Sequence, residues 1–158
     1  MGNGTLVLGA ALGFSELVRL GIVARPPRIV AVQSENCDPL AQAFASGSTS
    51  VPEIHSTNTI AEGIAIARPV RGAQILKVIG ECGGYFVTVS EHEIVSALTL
   101  VASGGYYIEP TSAATIAGLR KYLTISQGNE VIVSVFTGHG LKSTDTMLAL
   151  LHARSSPS

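Results

Sequence analysis

Apolar positions in this chain switch repeatedly between a helical period and short unbroken runs. Residues 5–20 carry Leu6, Ala10, Phe14, Leu17 and Val18 near helical spacing, and Gly21 closes that helix. Residues 28–33 are short, apolar and β-branched, the mark of a strand buried on both faces. A second helix is predicted over residues 38–46, stopped at Gly47. Residues 46–59 are rich in Ser, Thr and Pro and read as a surface loop. A helical or turn segment over 59–66 precedes Pro69, and a helix over 72–81 ends at Gly83-Gly84. Residues 85–89 form a strand, and Ser90-Glu91-His92-Glu93 has capping-box spacing that opens a helix to about Ala102. Then come a short strand at 106–108, a helix over 111–122 and a last strand at 131–136. The tail from Ser143 holds a short apolar helix and frays at Ser155-Ser156-Pro157-Ser158.

Strands alternating with helices predict an α/β fold with a layered, mainly parallel sheet and helices on both faces. Residues 1–142 form its main body and residues 143–158 a helix and tail. In such sheets ligands bind beyond the carboxyl ends of the strands. Three polar or Gly-rich loops belong to that edge: Gly2-Asn3-Gly4-Thr5, Glu109-Pro110-Thr111-Ser112-Ala113-Ala114, and Thr137-Gly138-His139-Gly140-Leu141-Lys142. The second follows Ile108 and the third follows Phe136; the first is expected to follow a strand outside this chain.

Composition sharpens the picture. Of 158 residues, 46% are hydrophobic and only 13% charged, against about 25% charged in an ordinary soluble domain. A sheet covered on both faces accounts for part of this. The rest predicts association, either with other protein or with a second copy. An open sheet edge is the expected contact, because unpaired edges template pairing. Net charge is −1, with no basic run, so a nucleic-acid surface is not supported. No apolar stretch approaches the roughly 20 residues of a membrane span. Cys37 and Cys82 lie far apart and read as free buried thiols of a reducing cytosol.

The loops carry the candidate chemistry. Glycines at 2 and 4 let backbone N–H groups approach an anion where a helix dipole favours a phosphate, and the Thr5 hydroxyl can add a bond. Ala10-Ala11 stands where a nucleotide-binding loop needs Lys-Ser/Thr, which argues against nucleoside triphosphates. Thr59-Ile60-Ala61-Glu62-Gly63-Ile64-Ala65 offers small residues suited to lie against a planar ring. Glu109-Pro110 gives a rigid or cis-capable turn followed by a Thr/Ser cap. Glycines flank His139, so the backbone can pass close to a ligand, and the Thr137 hydroxyl can meet a ring nitrogen. No His/Cys/Asp/Glu spacing suggests a metal, and no Gly-x-Ser-x-Gly elbow supports a hydrolase.

In this order the five segments resemble the C-terminal half of threonine synthases, within the fold-type II pyridoxal-phosphate (PLP) enzymes of tryptophan synthase β-like fold. The segments are Gly2 to Thr5, the strand at 28–33, Thr59 to Ala65, Glu109 to Ala114, and Thr137 to Lys142. The Ala61-to-Ala65 run also resembles threonine dehydratases. The resemblance implies that Gly2, Asn3, Gly4 and Thr5 bind the PLP phosphate, that Glu62, Gly63 and Ser112 line the cofactor wall, and that Thr137 hydrogen-bonds the pyridine nitrogen. A neutral hydroxyl there implies a milder electron sink than a carboxylate would give. The implied reaction is γ-elimination of phosphate from O-phosphohomoserine, then hydration to threonine, in a cytoplasmic biosynthetic setting. The chain's lysines are Lys77, Lys121 and Lys142. None matches the family's Schiff-base position, which implies a catalytic lysine outside this chain and no competence of the chain alone. A dehydratase-like enzyme part and a non-catalytic stand-alone domain are the alternatives.

Overall fold

The computed structural model describes residues 1–126 and 128–155. Its centre is a parallel pair of strands, β1 (Val30–Ser34) and β2 (Tyr85–Val89), in register from Val30 against Tyr85 to Ser34 against Val89. Around it lie helices α1 (Thr5–Arg19), α2 (Pro39–Ala45), α3 (Gly72–Glu81), α4 (Glu91–Ser103), α5 (Pro110–Leu123) and α6 (Thr144–Ser155). Of the fray expected at 155–158, Ser155 instead ends α6, and residues 156–158 lie outside the described residues.

Alternation along the strands sends side chains into two cores. Val32, Val87 and Val89 pack with Ile94, Ala97 and Leu98 of α4 and with Ala113, Ala114 and Ala117 of α5. Ala31 and Phe86 pack on the opposite face with Leu40 and Ala43 of α2 and Ile75, Leu76 and Ile79 of α3. Helices therefore cover both faces of a parallel sheet, as the alternating pattern predicts. The alanines of α5 bring its backbone close to β1, and a Cβ at Gly118 would lie 2.4 Å from Val32 Cγ2.

Two expected strands are not strands. Residues 106–108 contribute a single bridge, Ile108 to His139. Residues 131–136 form no ladder among the described residues, and Val131 and Val133 are 97% and 82% exposed. A β-rich run needs a neighbour for its N–H and C=O groups, and β1 and β2 are the strands that pair here. In α1 the expected positions Ala10, Phe14, Leu17 and Val18 are half-buried, but the first turn differs. Val7 and Leu8, not Leu6, pack on the core, and Leu6 is exposed.

Sequence signals set several local ends. The Ser90 hydroxyl accepts from Glu93 N–H and the Glu93 carboxylate accepts from Ser90 N–H, completing the capping box of α4. The start of α2 is capped from a distance. Asp38 makes no side-chain cap bond, and Gln33 Oε1 of β1 accepts from Leu40 N at 3.1 Å and Ala41 N at 2.9 Å. Lys121 of α5 ties both strand ends to α4, reaching Glu93 and the Thr88 carbonyl at 2.8 Å each and Glu35 at 3.4 Å.

Candidate functional site

The polar loops gather at the carboxyl ends of β1 and β2. Beyond β1, Ser34 Oγ donates to Glu91 Oε1 at 3.0 Å, and Glu91 Oε2 accepts from Ile60 N at 2.8 Å. That second bond fixes the entry to a 3₁₀ turn at Glu62–Ile64. Ahead of α1, Met1 O accepts from Gln33 Nε2 at 3.3 Å, and the Met1 amino group donates to the Val32 carbonyl.

Gly4 is the N-cap of α1, with φ +75°, and no side chain caps that helix. Its first-turn N–H groups are thus not taken by a cap. Glycine is required here twice over: φ is left-handed, and a Cβ would lie 2.4 Å from Ile75 Cδ1. A Cβ at Gly2 would lie 2.8 Å from Ile66 Cγ1 and 3.0 Å from the Gly63 carbonyl, so this loop abuts the Glu62–Ile64 turn. Arg71 NH2 donates to Thr5 Oγ1 at 2.8 Å, placing a cation at the mouth of α1.

The turn continues the chain of contacts. Gly63 N donates to Thr111 Oγ1 at 3.1 Å, and a Cβ at Gly63 would lie 2.9 Å from that hydroxyl. Glu62 Oε1 points elsewhere and accepts from Thr146 Oγ1 of α6 at 3.3 Å. The expected Thr/Ser cap of α5 does not form. Glu109 is the N-cap, Pro110 opens the helix with a trans peptide, and no side chain closes a cap bond. The Ser112 hydroxyl is instead fully buried and turned toward the third loop, where it accepts from Gly138 N at 3.2 Å.

The second and third loops interlock. Ser112 Oγ and Thr137 Oγ1 are 3.2 Å apart, and Thr137 Oγ1 donates to Glu109 Oε1 at 3.1 Å. Glu109 N donates to the Gly138 carbonyl at 3.0 Å, and Gly140 N to the Tyr107 carbonyl at 3.0 Å. A Cβ at Gly138 would lie 2.1 Å from Glu109 Cδ, so the carboxyl group fills the space a side chain would need. Lys142 Nζ sits 3.6 Å from Glu109 Oε2. His139 is used structurally: Nδ1 accepts from Leu141 N at 3.2 Å, and its ring meets Tyr107 edge-on.

Gly2, Gly63, Thr111, Ser112 and Thr137 thus form one chain of contacts, from an uncapped helix N-terminus to a pair of hydroxyls of which that of Ser112 is buried. Those features suit a ligand with a phosphate at one end and a polar ring atom at the other. Pattern reasoning missed Arg71, whose reach to Thr5 depends on α3 lying beside α1, and missed the reach of Glu109 to Thr137. Its one available signal for Glu109 was the glycine at 138. Of the lysines, Lys77 pairs with Glu81 at 3.8 Å, Lys121 is held by its partners, and Lys142 meets Glu109. The free thiols differ in depth: Cys37 is buried, and that burial raises its pKa, while Cys82 is half-buried.

Parallel strands with helices on both faces define a layered α/β domain. The chain belongs to the pyridoxal-phosphate dependent enzyme family, whose model matches residues 1–138. It is 35% identical over 151 residues to threonine synthase of Methanocaldococcus jannaschii, covering 94% of this chain and 37% of that protein. Against threonine synthase of Mycobacterium bovis it is 34% identical over 152 residues, covering 94% of this chain and 40% of that protein. The chain therefore spans about two fifths of the length of these curated relatives. Among solved structures, maize serine racemase matches with a TM-score of 0.64 at 21% identity, over 99% of this chain and 46% of that one. A threonine deaminase from T.th. matches with a TM-score of 0.59 at 19% identity, over 84% of this chain and 49% of that one. The family's cofactor is pyridoxal phosphate.

Proposed function

We propose that this chain forms the phosphate-binding and ring-nitrogen sides of a threonine synthase active site. The observation that supports this most is the chain of contacts running from Gly2 through Gly63 and Thr111 to Ser112 and Thr137. Backbone N–H groups of Gly2 to Thr5 hold the phosphate, aided by the α1 dipole. Arg71 adds positive charge beside Thr5. The Glu62-Gly63 backbone, packed on Thr111, borders the ring, and Thr137, held by Ser112 and Glu109, meets the ring nitrogen. Bound pyridoxal phosphate supplies the electron sink for carbanion chemistry at a substrate α-carbon. The substrate is O-phosphohomoserine and the products are threonine and phosphate.

In this reading the covalent lysine is none of Lys77, Lys121 and Lys142, since none matches the Schiff-base position that the resemblance implies. The exposed apolar run at 131–136 then packs against further protein.

The test is a titration of the purified chain with pyridoxal phosphate, followed by borohydride reduction and peptide mass mapping. Saturable binding without a stoichiometric lysine adduct is the expected result. A single adduct on Lys77, Lys121 or Lys142 overturns the assignment of the lysine. Absence of saturable binding overturns the cofactor surface itself.

A further inference from the structure

One later segment braces the loop at residues 2–5 along its length. A Cβ at Gly2 would press on Ile66 and the Gly63 carbonyl, and a Cβ at Gly4 on Ile75. Thr5 completes the series, accepting from the Arg71 guanidinium at 2.8 Å. The start of α3 therefore lies beside the start of α1. Gly4 is the N-cap of α1 and Arg71 the N-cap of α3, and neither helix has a side-chain cap bond.

Positive charge is unbalanced at this junction. Each helix start carries a partial positive charge, and the Arg71 guanidinium adds a full one. Among the described residues Arg71 forms no ion pair, and the Thr5 hydroxyl is its side-chain partner. The contrast with Arg68, three residues earlier, is direct, because Arg68 is paired with Glu53. Residues 62–75 hold one carboxylate, Glu62, and it is turned to Thr146 of α6. A guanidinium has five N–H donors and no acceptor. One donor holds Thr5, and the others make no bond among the described residues.

We propose that Arg71 is a specificity-determining residue for the cofactor's phosphate. This rests on the pyridoxal-phosphate reading above. Backbone N–H groups of the loop are neutral donors, so alone they hold an anion without adding a full charge. Arg71 supplies that charge from α3, 66 residues further along the chain, and its planar fork matches phosphate oxygens. The bond to Thr5 keeps the guanidinium at the mouth of α1. The site therefore discriminates a phosphorylated pyridine aldehyde from the same ring without phosphate.

The test is calorimetric titration of the full chain with pyridoxal phosphate and with pyridoxal, which lacks the phosphate. Arg71→Met should weaken pyridoxal phosphate about tenfold, a value reduced for the exposure of the arginine, and leave pyridoxal unchanged. Arg71→Lys keeps the charge without the fork and should lose less than Arg71→Met. High salt should narrow the gap between wild type and Arg71→Met, since the site is open to solvent. Equal loss of both probes in Arg71→Met would assign the residue a structural role only and overturn the proposal. Saturable binding of pyridoxal phosphate with the same affinity in wild type and Arg71→Met overturns this proposal alone. Absence of saturable binding to the wild type overturns it together with the cofactor reading.

Discussion

Residues 30–34 and residues 131–136 both carry alternating valines, and they meet opposite fates. The first pairs with β2 along its whole length and is covered by helices on both faces. The second is exposed, pairs with no strand among the described residues, and is tied to α5 by Ser134 Oγ 3.1 Å from Thr115 Oγ1. Local composition states a preference for extended backbone; a ladder partner and covering side chains decide whether a strand forms. The contrast also locates the stability of this chain. It lies in the layers around β1 and β2.

The largest effect that tests this contrast is a pair of truncations. Ile79 is fully buried in the core on the α3 side. Ile79→Ala should cost about 3 kcal/mol, from lost transfer free energy and the cavity left behind. Val133→Ala, in an equally apolar sequence context, should change stability by less than about 0.5 kcal/mol. Urea unfolding midpoints measure both. Similar losses at the two sites would show that residues 131–136 are packed in solution and would erase the distinction.

A smaller effect tests how much local sequence contributes to the well-packed region. Ser90→Ala removes half of the capping box of α4 and should cost about 1 kcal/mol. Glu93→Gln should cost less, because glutamine can still accept from Ser90 N–H. If Ser90→Ala leaves the urea midpoint unmoved, α4 is held by its packing on α5 alone.

These cases show why the sequence was legible in some places and silent in others. Helix α3 was readable to both ends because Gly83-Gly84 stops it sharply. The capping box was readable because both partners lie within one turn. The start of α2 was readable to within one residue, but the source of its cap, Gln33 on another element, was not. The site divides in the same way. Gly4 marks a helix start open to backbone approach, while its left-handed φ appears only in the fold, and the family resemblance brings Ser112 and Thr137 to one place. The meeting of Thr137 with Glu109 depends on two loops far apart in the chain lying side by side. No periodicity or motif spacing encodes that approach, and the glycine at 138 is its only trace.

The smallest expected effect concerns the clip between the strand ends, and its pH dependence has a definite sign. Burial raises the Glu93 pKa and is outweighed by Lys121 and by the bonds with Ser90, leaving it below the ordinary 4.5. A lowered carboxylate pKa stabilises the fold above the ordinary value, and that contribution is lost as pH falls through the folded value. Burial lowers the Lys121 pKa and is outweighed by Glu93 and Glu35, leaving it above the ordinary 10.5. A raised ammonium pKa stabilises the fold below the ordinary value, and that contribution is lost as pH rises through the folded one. Both groups are about one-third exposed, so solvent and salt weaken the pair. Stability should therefore form a shallow plateau between the two limits. Lys121→Met should lower that plateau slightly and reduce the loss on the acid side, since Glu93 would keep only its Ser90 partners. Equilibrium unfolding across pH at low and high salt reads both features. An acid limb of unchanged steepness in Lys121→Met would assign the pH dependence to other carboxylates and remove Lys121 from the forces that hold β1 and β2 to α4.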